Sequence, residues 1–164
     1  MTRLVPNMRQ WCIAIAGLGV LALGWLFGYS GPIDQSRLTY ASYITDREGE
    51  LLHVLMADDE RYRIKTHLED VDATFIDLLL AYEDHRYYLH GGVDWLAMSR
   101  AAWQWASQGY IVSGGSTLTM QTIRLMEPKP RNVWNKLDQM RKAIALERSH
   151  TKDQILFLYL SLAP

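Results

Sequence analysis

Val71-Asp-Ala-Thr-Phe-Ile-Asp-Leu-Leu-Leu-Ala-Tyr-Glu83-Asp84-His-Arg-Tyr-Tyr-Leu-His-Gly-Gly92 is the stretch on which the fold turns. Its apolar residues recur at helical spacing, which predicts a helix from Val71 with Phe75, Leu78, Leu79, Tyr82 and Leu89 on one broad inward face. Two adjacent carboxylates, Glu83 and Asp84, close the apolar run, and a glycine-rich turn follows. A carboxylate at the rim of an apolar pocket takes up a proton readily, the property of a general base. The plainer reading is a solvated Glu-Asp pair that caps the helix or pairs with Arg86. His90 reads first as a packed or capping histidine. With His85 it suggests a metal, but no third nitrogen or sulfur ligand lies nearby, so no metal site is expected.

Downstream, the pattern stays helical. Asp94 stands as N-cap before Trp95 to Trp105, and Gly109 closes that helix. Ser113-Gly-Gly-Ser-Thr-Leu-Thr-Met-Gln121 places two glycines and three hydroxyl residues at the start of a helix running from Thr117 to Met126. Backbone N–H groups at a helix start bind anions, and Ser and Thr hydroxyls add donors. Without the lysine of a P-loop the stretch is a poor nucleotide site; Arg124, two turns on, strengthens an anion reading. A loop with an ordinary Ser N-cap remains the alternative. Pro128 and Pro130 end this helix. An amphipathic helix follows from Arg131 to Arg148, with Lys136 beside Asp138 and Gln139. Most of its basic residues read as a solvated face, with Lys136 and Arg131 the candidates for more. Thr151-Lys-Asp-Gln154 is a capping box that opens a last helix, Asp153 to Leu162.

Upstream, Tyr40–Thr45 and Leu51–Met56 read as two strands joined at Gly49, and Arg61–Lys65 as a third extended piece. Trp11 to Phe27 is uncharged and mostly apolar, long enough with Gly28 and Tyr29 for a membrane helix over 11–29. Arg3 and Arg9 precede it, so residues 1–10 are expected in the cytoplasm and the remainder outside. A cleavable signal is the competing reading. The sole cysteine, Cys12, falls inside this span, which excludes an internal disulfide framework. Six Trp and nine Tyr exclude an extended disordered chain. The net charge of −1 hides an asymmetry: residues 1–94 carry −6 and residues 95–164 carry +5. The basic half suits an anionic small ligand or a lipid headgroup and is too mild for nucleic acid.

Together these motifs resemble the peptidoglycan glycosyltransferase domain of bacterial penicillin-binding proteins, glycosyltransferase family 51. The first family signature is matched by Glu83, Asp84, Tyr87, His90 and Gly92, and the second by Gly114 to Gln121. The third is matched by Asn135 to Gln139, Thr151-Lys152, Ile155-Leu156 and Tyr159-Leu160-Ser161. The resemblance spans about residues 40–164 and is greatest to the penicillin-binding protein 1C branch. This chain has Asn135 where the family has arginine, Gln139 where it has glutamate, and Ser161 where it has asparagine. Gln139 itself is what the 1C branch looks like.

The resemblance implies a mainly α, lysozyme-like domain behind one transmembrane helix, with 30–70 as linker and small β-hairpin region. Residues 71–164 would be the N-terminal part of the glycosyltransferase domain, which is expected to continue past Pro164. The implied activity is polymerisation of lipid II into glycan strands in cell-wall synthesis, on the periplasmic side of the cytoplasmic membrane. The implied partners are lipid II, the undecaprenyl-pyrophosphate-linked strand, the membrane and cell-wall synthesis proteins. Glu83 is carried over as general base. Asp84, His90, Ser116, Thr117, Gln121, Arg124, Lys136 and Gln139 are carried over as substrate-binding residues. No organic cofactor is implied; a divalent cation, Mg or Mn, is admitted on the pyrophosphate, though Gln139 removes a ligand for it. Two alternatives stay open: a glycoside hydrolase of the wall, and a non-catalytic anchored protein that binds lipid II or serves as a scaffold.

Overall fold

A computed structural model describes residues 8–29, 31, 33, 39–58, 60, 62–65, 67–110 and 114–163, with residues 9–12 and 14 as backbone alone. Arg3, Arg61 and Ser113, on which parts of the sequence reading rest, lie outside the described residues. The chain runs α1 (Met8–Phe27), β1 (Ser42–Thr45), β2 (Leu51–Leu55), α2 (Ala73–Glu83), α3 (Trp95–Gln108), α4 (Leu118–Met126), α5 (Val133–Ser149) and α6 (Lys152–Leu162). Short 3-10 turns fall at Leu68–Asp70 and Tyr87–Leu89. The mainly helical class is as expected.

The expected membrane segment lies largely within α1. Among the described residues, however, no helix is long and apolar enough to cross a membrane. What the fold does show is where the end of α1 sits. The Arg141 guanidinium of α5 lies 4.8 Å from the Trp25 ring and 4.5 Å from the Tyr29 ring. Arg148 Nη1 donates to the Phe27 carbonyl at 2.5 Å, filling one of the acceptors a helix end leaves open.

The hairpin forms where expected. β1 and β2 pair antiparallel, Ser42 opposite Leu55 and Tyr43 opposite Val54, with an irregularity between Ile44 and Thr45. Asp46 Oδ1 accepts from the N–H of Glu48 and Glu50, and Gly49 takes φ +89°, which a side chain would resist. The third extended piece is not a strand among its described residues, but Ala41 N–H donates to the Arg63 carbonyl at 2.8 Å.

The core lies around α4, clasped between α5 and α6. Leu118, Met120 and Ile123 are fully buried against Leu146, Ile155 and Leu156. Each such side chain contributes roughly 1.5–3 kcal/mol relative to exposure. Tyr87 and Val93, from the loop after α2, enter the same core. Sequence capping is reproduced in detail: Asp94 caps α3, Gly109 ends it in the left-handed conformation, and Thr151 with Gln154 forms a complete capping box. At α4 the cap is Thr117 rather than Ser116.

The inward face of α2 differs from the expected one. Ile76, Leu79 and Leu80 pack on the core, whereas Phe75, Leu78, Tyr82 and Leu89 are exposed. Of the face read from spacing, Leu79 alone packs inward, joined by Ile76 and Leu80 from beside it.

Candidate active site

The loop that leaves α2 is fastened to α4 by buried hydrogen bonds, and this fastening places Glu83. Asp84 caps α2 and points into the protein. Its Oδ2 accepts from Leu118 N–H at 2.8 Å, and both its oxygens lie 3.0 Å from His90 Nε2. Thr117 Oγ1 donates to the Gly92 carbonyl at 2.7 Å while accepting from Met120 N–H at 3.1 Å. Gly92 has φ +93°, and a Cβ there would come within 2.6 Å of the Ala143 backbone. The close approach of this loop to α5 thus requires a glycine.

A second network braces the loop from below. Lys152 Nζ donates to the His90 carbonyl at 2.7 Å and to Glu147 Oε1 at 2.6 Å. Thr119 Oγ1 also donates to Glu147 Oε1, at 2.6 Å, and the Tyr87 hydroxyl donates to the Lys152 carbonyl. Burial, with the nearby charge of Glu147, pushes the Tyr87 phenol well above its ordinary range. Glu147 was not singled out in the sequence, where a Leu-Glu-Arg run looks like any solvated helix end.

Glu83 is therefore oriented opposite to its neighbour. It ends α2, half-buried, and its Oε2 accepts from Gln121 Nε2 at 2.9 Å. It faces a cavity of about 370 Å³ bordered also by His85, Arg86, Ala97, Arg100, Gly115 and Ser116. A larger cavity of about 860 Å³ adjoins it across Gly114, Gly115 and Ser116. That cavity is lined by Arg124, Lys129, Arg131, Asn135, Lys136 and Gln139. The two have unlike character: the smaller mixes the carboxylates Glu83, Asp84 and Asp94 with Arg86 and Arg100, and the larger is lined by cations without a carboxylate.

Lys136 is the best-defined cation of the larger cavity. Its Nζ donates to Ser116 Oγ at 3.0 Å, not to Asp138, which pairs instead with Lys129 and Arg141. Burial lowers the Lys136 ammonium from its usual range, and the Arg124 charge lowers it further. Tyr159, half-buried, is pushed up by burial and by the Glu83 carboxylate, which marks it as a neighbour of the site. Of the candidates read from sequence, Ser116, Arg124, Lys136 and Gln139 line the larger cavity, and Glu83, Asp84, Ser116 and Thr117 the smaller. Gln121 is bound to Glu83, while Asp84, His90 and Thr117 commit their polar atoms to the frame. One atom of that frame stands apart: His90 Nδ1 is buried and has no hydrogen-bond partner.

No group of three or more His, Cys, Asp or Glu could hold a metal ion among the described residues. The side chains around the larger cavity are amides and cations, a donor set that does not fit a resident divalent ion.

The transglycosylase family model matches residues 48–164, which contain both cavities. The chain belongs to the transglycosylase family. It is 34% identical over 165 residues to penicillin-binding protein 1C of Escherichia coli K12, covering 100% of this chain and 21% of that protein. It is 34% identical over 158 residues to penicillin-binding protein 1A of the same organism, covering 92% of this chain and 18% of that one. Penicillin-binding protein 4 of Bacillus subtilis 168 is 31% identical over 125 residues, 76% of this chain and 20% of its own length. The chain thus spans about a fifth of the length of these relatives.

Proposed function

We propose that this chain carries the glycosyltransferase chemistry of cell-wall synthesis, joining lipid II into glycan strands. The observation that carries the reading is the juxtaposition of one oriented carboxylate, Glu83, with a cavity lined by Lys136, Arg124 and Ser116. The acceptor's 4-hydroxyl attacks the anomeric carbon of the donor sugar, and its proton passes to Glu83. The bond from that carbon to the diphosphate breaks, its electron pair leaves on the diphosphate oxygen, and the carbon inverts. Lys136, Arg124 and Ser116 stabilise the charge that develops there, and Gln139 borders the same space. Asp84, His90 and Thr117 serve by holding the frame. The reading routes no step through a divalent cation.

A hydrolase of the wall is less well supported. It requires a second working carboxylate about 5–9.5 Å from the first. Asp84 is bound by His90 and Leu118, and Asp94 by the start of α3 and Arg86. We place α1 as the anchor in the cytoplasmic membrane, with the domain on the periplasmic side, where both lipid-linked substrates reside. Other cell-wall synthesis proteins are proposed partners.

The test joins this chain to the remainder of the domain taken from its penicillin-binding protein 1C relative and uses the product in lipid bilayers with fluorescent lipid II. Polymer should form with the wild type and fall by about 10²-fold or more in Glu83→Gln, with lipid II still bound. Release of soluble fragments from purified wall, with no polymer from lipid II, would transfer the chain to the hydrolase reading.

A further inference from the structure

The α3 wall of the two cavities carries a cation that the mechanism above does not use. Ala97 and Arg100, one turn apart on α3, border the Glu83 cavity; Met98 and Ala101 border the larger one. One face of α3 therefore walls both. Its place is set at two points. Asp94 accepts from Leu96 N–H and Ala97 N–H, both at 3.0 Å, with Arg86 Nε 3.3 Å from its other oxygen. Gly115 then packs so closely on the helix that a Cβ there would lie 3.1 Å from Met98 Cα.

The other arginine of the Glu83 cavity, and the lysine beside the border the two cavities share, are engaged. Arg86 is held by Asp94, and Lys136 by Ser116. Arg100 is exposed, lines the cavity, and enters no hydrogen bond or ion pair among the described residues. A guanidinium presents a planar fork of donors suited to phosphate or carboxylate. The proposed reaction brings two anionic molecules to one carboxylate, and Lys136, Arg124 and Ser116 account for a single leaving diphosphate. The acceptor keeps its own charge through the reaction, and that charge needs a place on the far side of Glu83.

We propose that Arg100 is a substrate-binding residue that pairs with an anionic group of the acceptor on the α3 side of Glu83. The inference rests on the function proposed above. The anion is the acceptor's diphosphate or a carboxylate of its stem peptide, two sources of one chemistry.

The experiment measures equilibrium binding of fluorescent lipid II to the full chain in lipid bilayers. Two binding steps are expected in the wild type. Lys136→Ala should weaken one, and Arg100→Gln the other by about tenfold or more, the effect of losing one charge-assisted hydrogen bond. Arg100→Lys should recover part of the loss, which a purely structural residue would not allow, and thermal melts of the Arg100 variants should coincide with that of the wild type. Two probes then separate the sources. Farnesyl diphosphate losing affinity in Arg100→Gln identifies the diphosphate; a diphosphate-free disaccharide-pentapeptide doing so identifies the carboxylate. Normal affinity of Arg100→Gln at both steps, with Lys136→Ala impaired, overturns the role of Arg100 and leaves the proposed function standing. Absence of lipid II binding by the wild type overturns that function, and the role of Arg100 with it.

Discussion

Gln121 holds Glu83: its Nε2 donates to the carboxylate Oε2 at 2.9 Å, joining the end of α2 to the middle of α4. The bond matters because the adjacent Asp84 is held in the opposite direction by His90 and Leu118. Two neighbouring carboxylates are thereby given separate tasks, one structural and one facing the cavity.

Gln121→Ala should therefore slow glycan polymerisation with a smaller effect on lipid II binding. Removing a hydrogen bond to a charged partner costs about 1.5–3 kcal/mol, an upper limit here because water can replace the amide in a half-buried site. A rate loss of about tenfold is expected. Rates near normal in single-turnover assays would show that Glu83 needs no such support.

Gly92 and Gly91 provide a matched pair for stability. Gly92→Ala forces a side chain into a left-handed backbone and to within 2.6 Å of Ala143. The strain and overpacking together should cost about 2–4 kcal/mol. Gly91→Ala meets nothing within 4 Å and should leave stability within about 0.5 kcal/mol of wild type. Denaturant unfolding of the two variants measures the difference directly.

The latch between α1 and α5 gives a third expectation. Arg141 lies against Trp25 and Tyr29 while its Nη2 meets Asp138 at 2.7 Å. Arg141→Ala should free the end of α1 and speed proteolytic cleavage between residues 29 and 41. Each cation–aromatic contact is worth about 0.5–1 kcal/mol at such a site, so the core melting temperature should hardly change. Equal cleavage rates in variant and wild type would mean that the Arg148 hydrogen bond to the Phe27 carbonyl secures the helix end without Arg141.

Much of this architecture could be read from the chain because it is written in short-range chemistry. Asp94, Gly109, Thr151 and Gln154 act within one turn of their own position, so their spacing was enough to place three helix ends. The side chains around the site depend on contacts across long separations, which spacing does not encode. Thr117 reaches Gly92, 25 positions away, and Gln121 reaches Glu83, 38 away. Those partners decide that Thr117 works for the frame and Gln121 for the carboxylate. The exposed side of α2 shows the same point: Phe75, Leu78 and Tyr82 are as apolar as Ile76, Leu79 and Leu80. Their contacts with the core, residues far along the chain, distinguish the two sets. Arg100 stayed hidden because a lone arginine on a Trp-rich helix carries no motif.

Lys136 links stability and binding to pH with opposite signs. Its ammonium is lowered from the ordinary value of 10.5, first by burial and then by Arg124. Below its folded value the residue is charged in both states, and the full cost of burying that charge weighs against the fold. As pH rises through the folded value towards 10.5, the folded state releases the proton while the unfolded state keeps it. Stability contributed by this residue therefore rises with pH across that window. Lys136→Met removes the charge and should be more stable than wild type at pH 7, with the gap closing as pH approaches 10.5. Binding should run the other way: wild-type affinity for lipid II falls as the ammonium loses its proton, while Lys136→Met is weak throughout. Paired urea titrations and lipid II binding curves between pH 7 and 10.5 measure both trends. A stability gap that stayed constant over that range would show that Lys136 is well solvated and that its affinity for anions comes from Arg124.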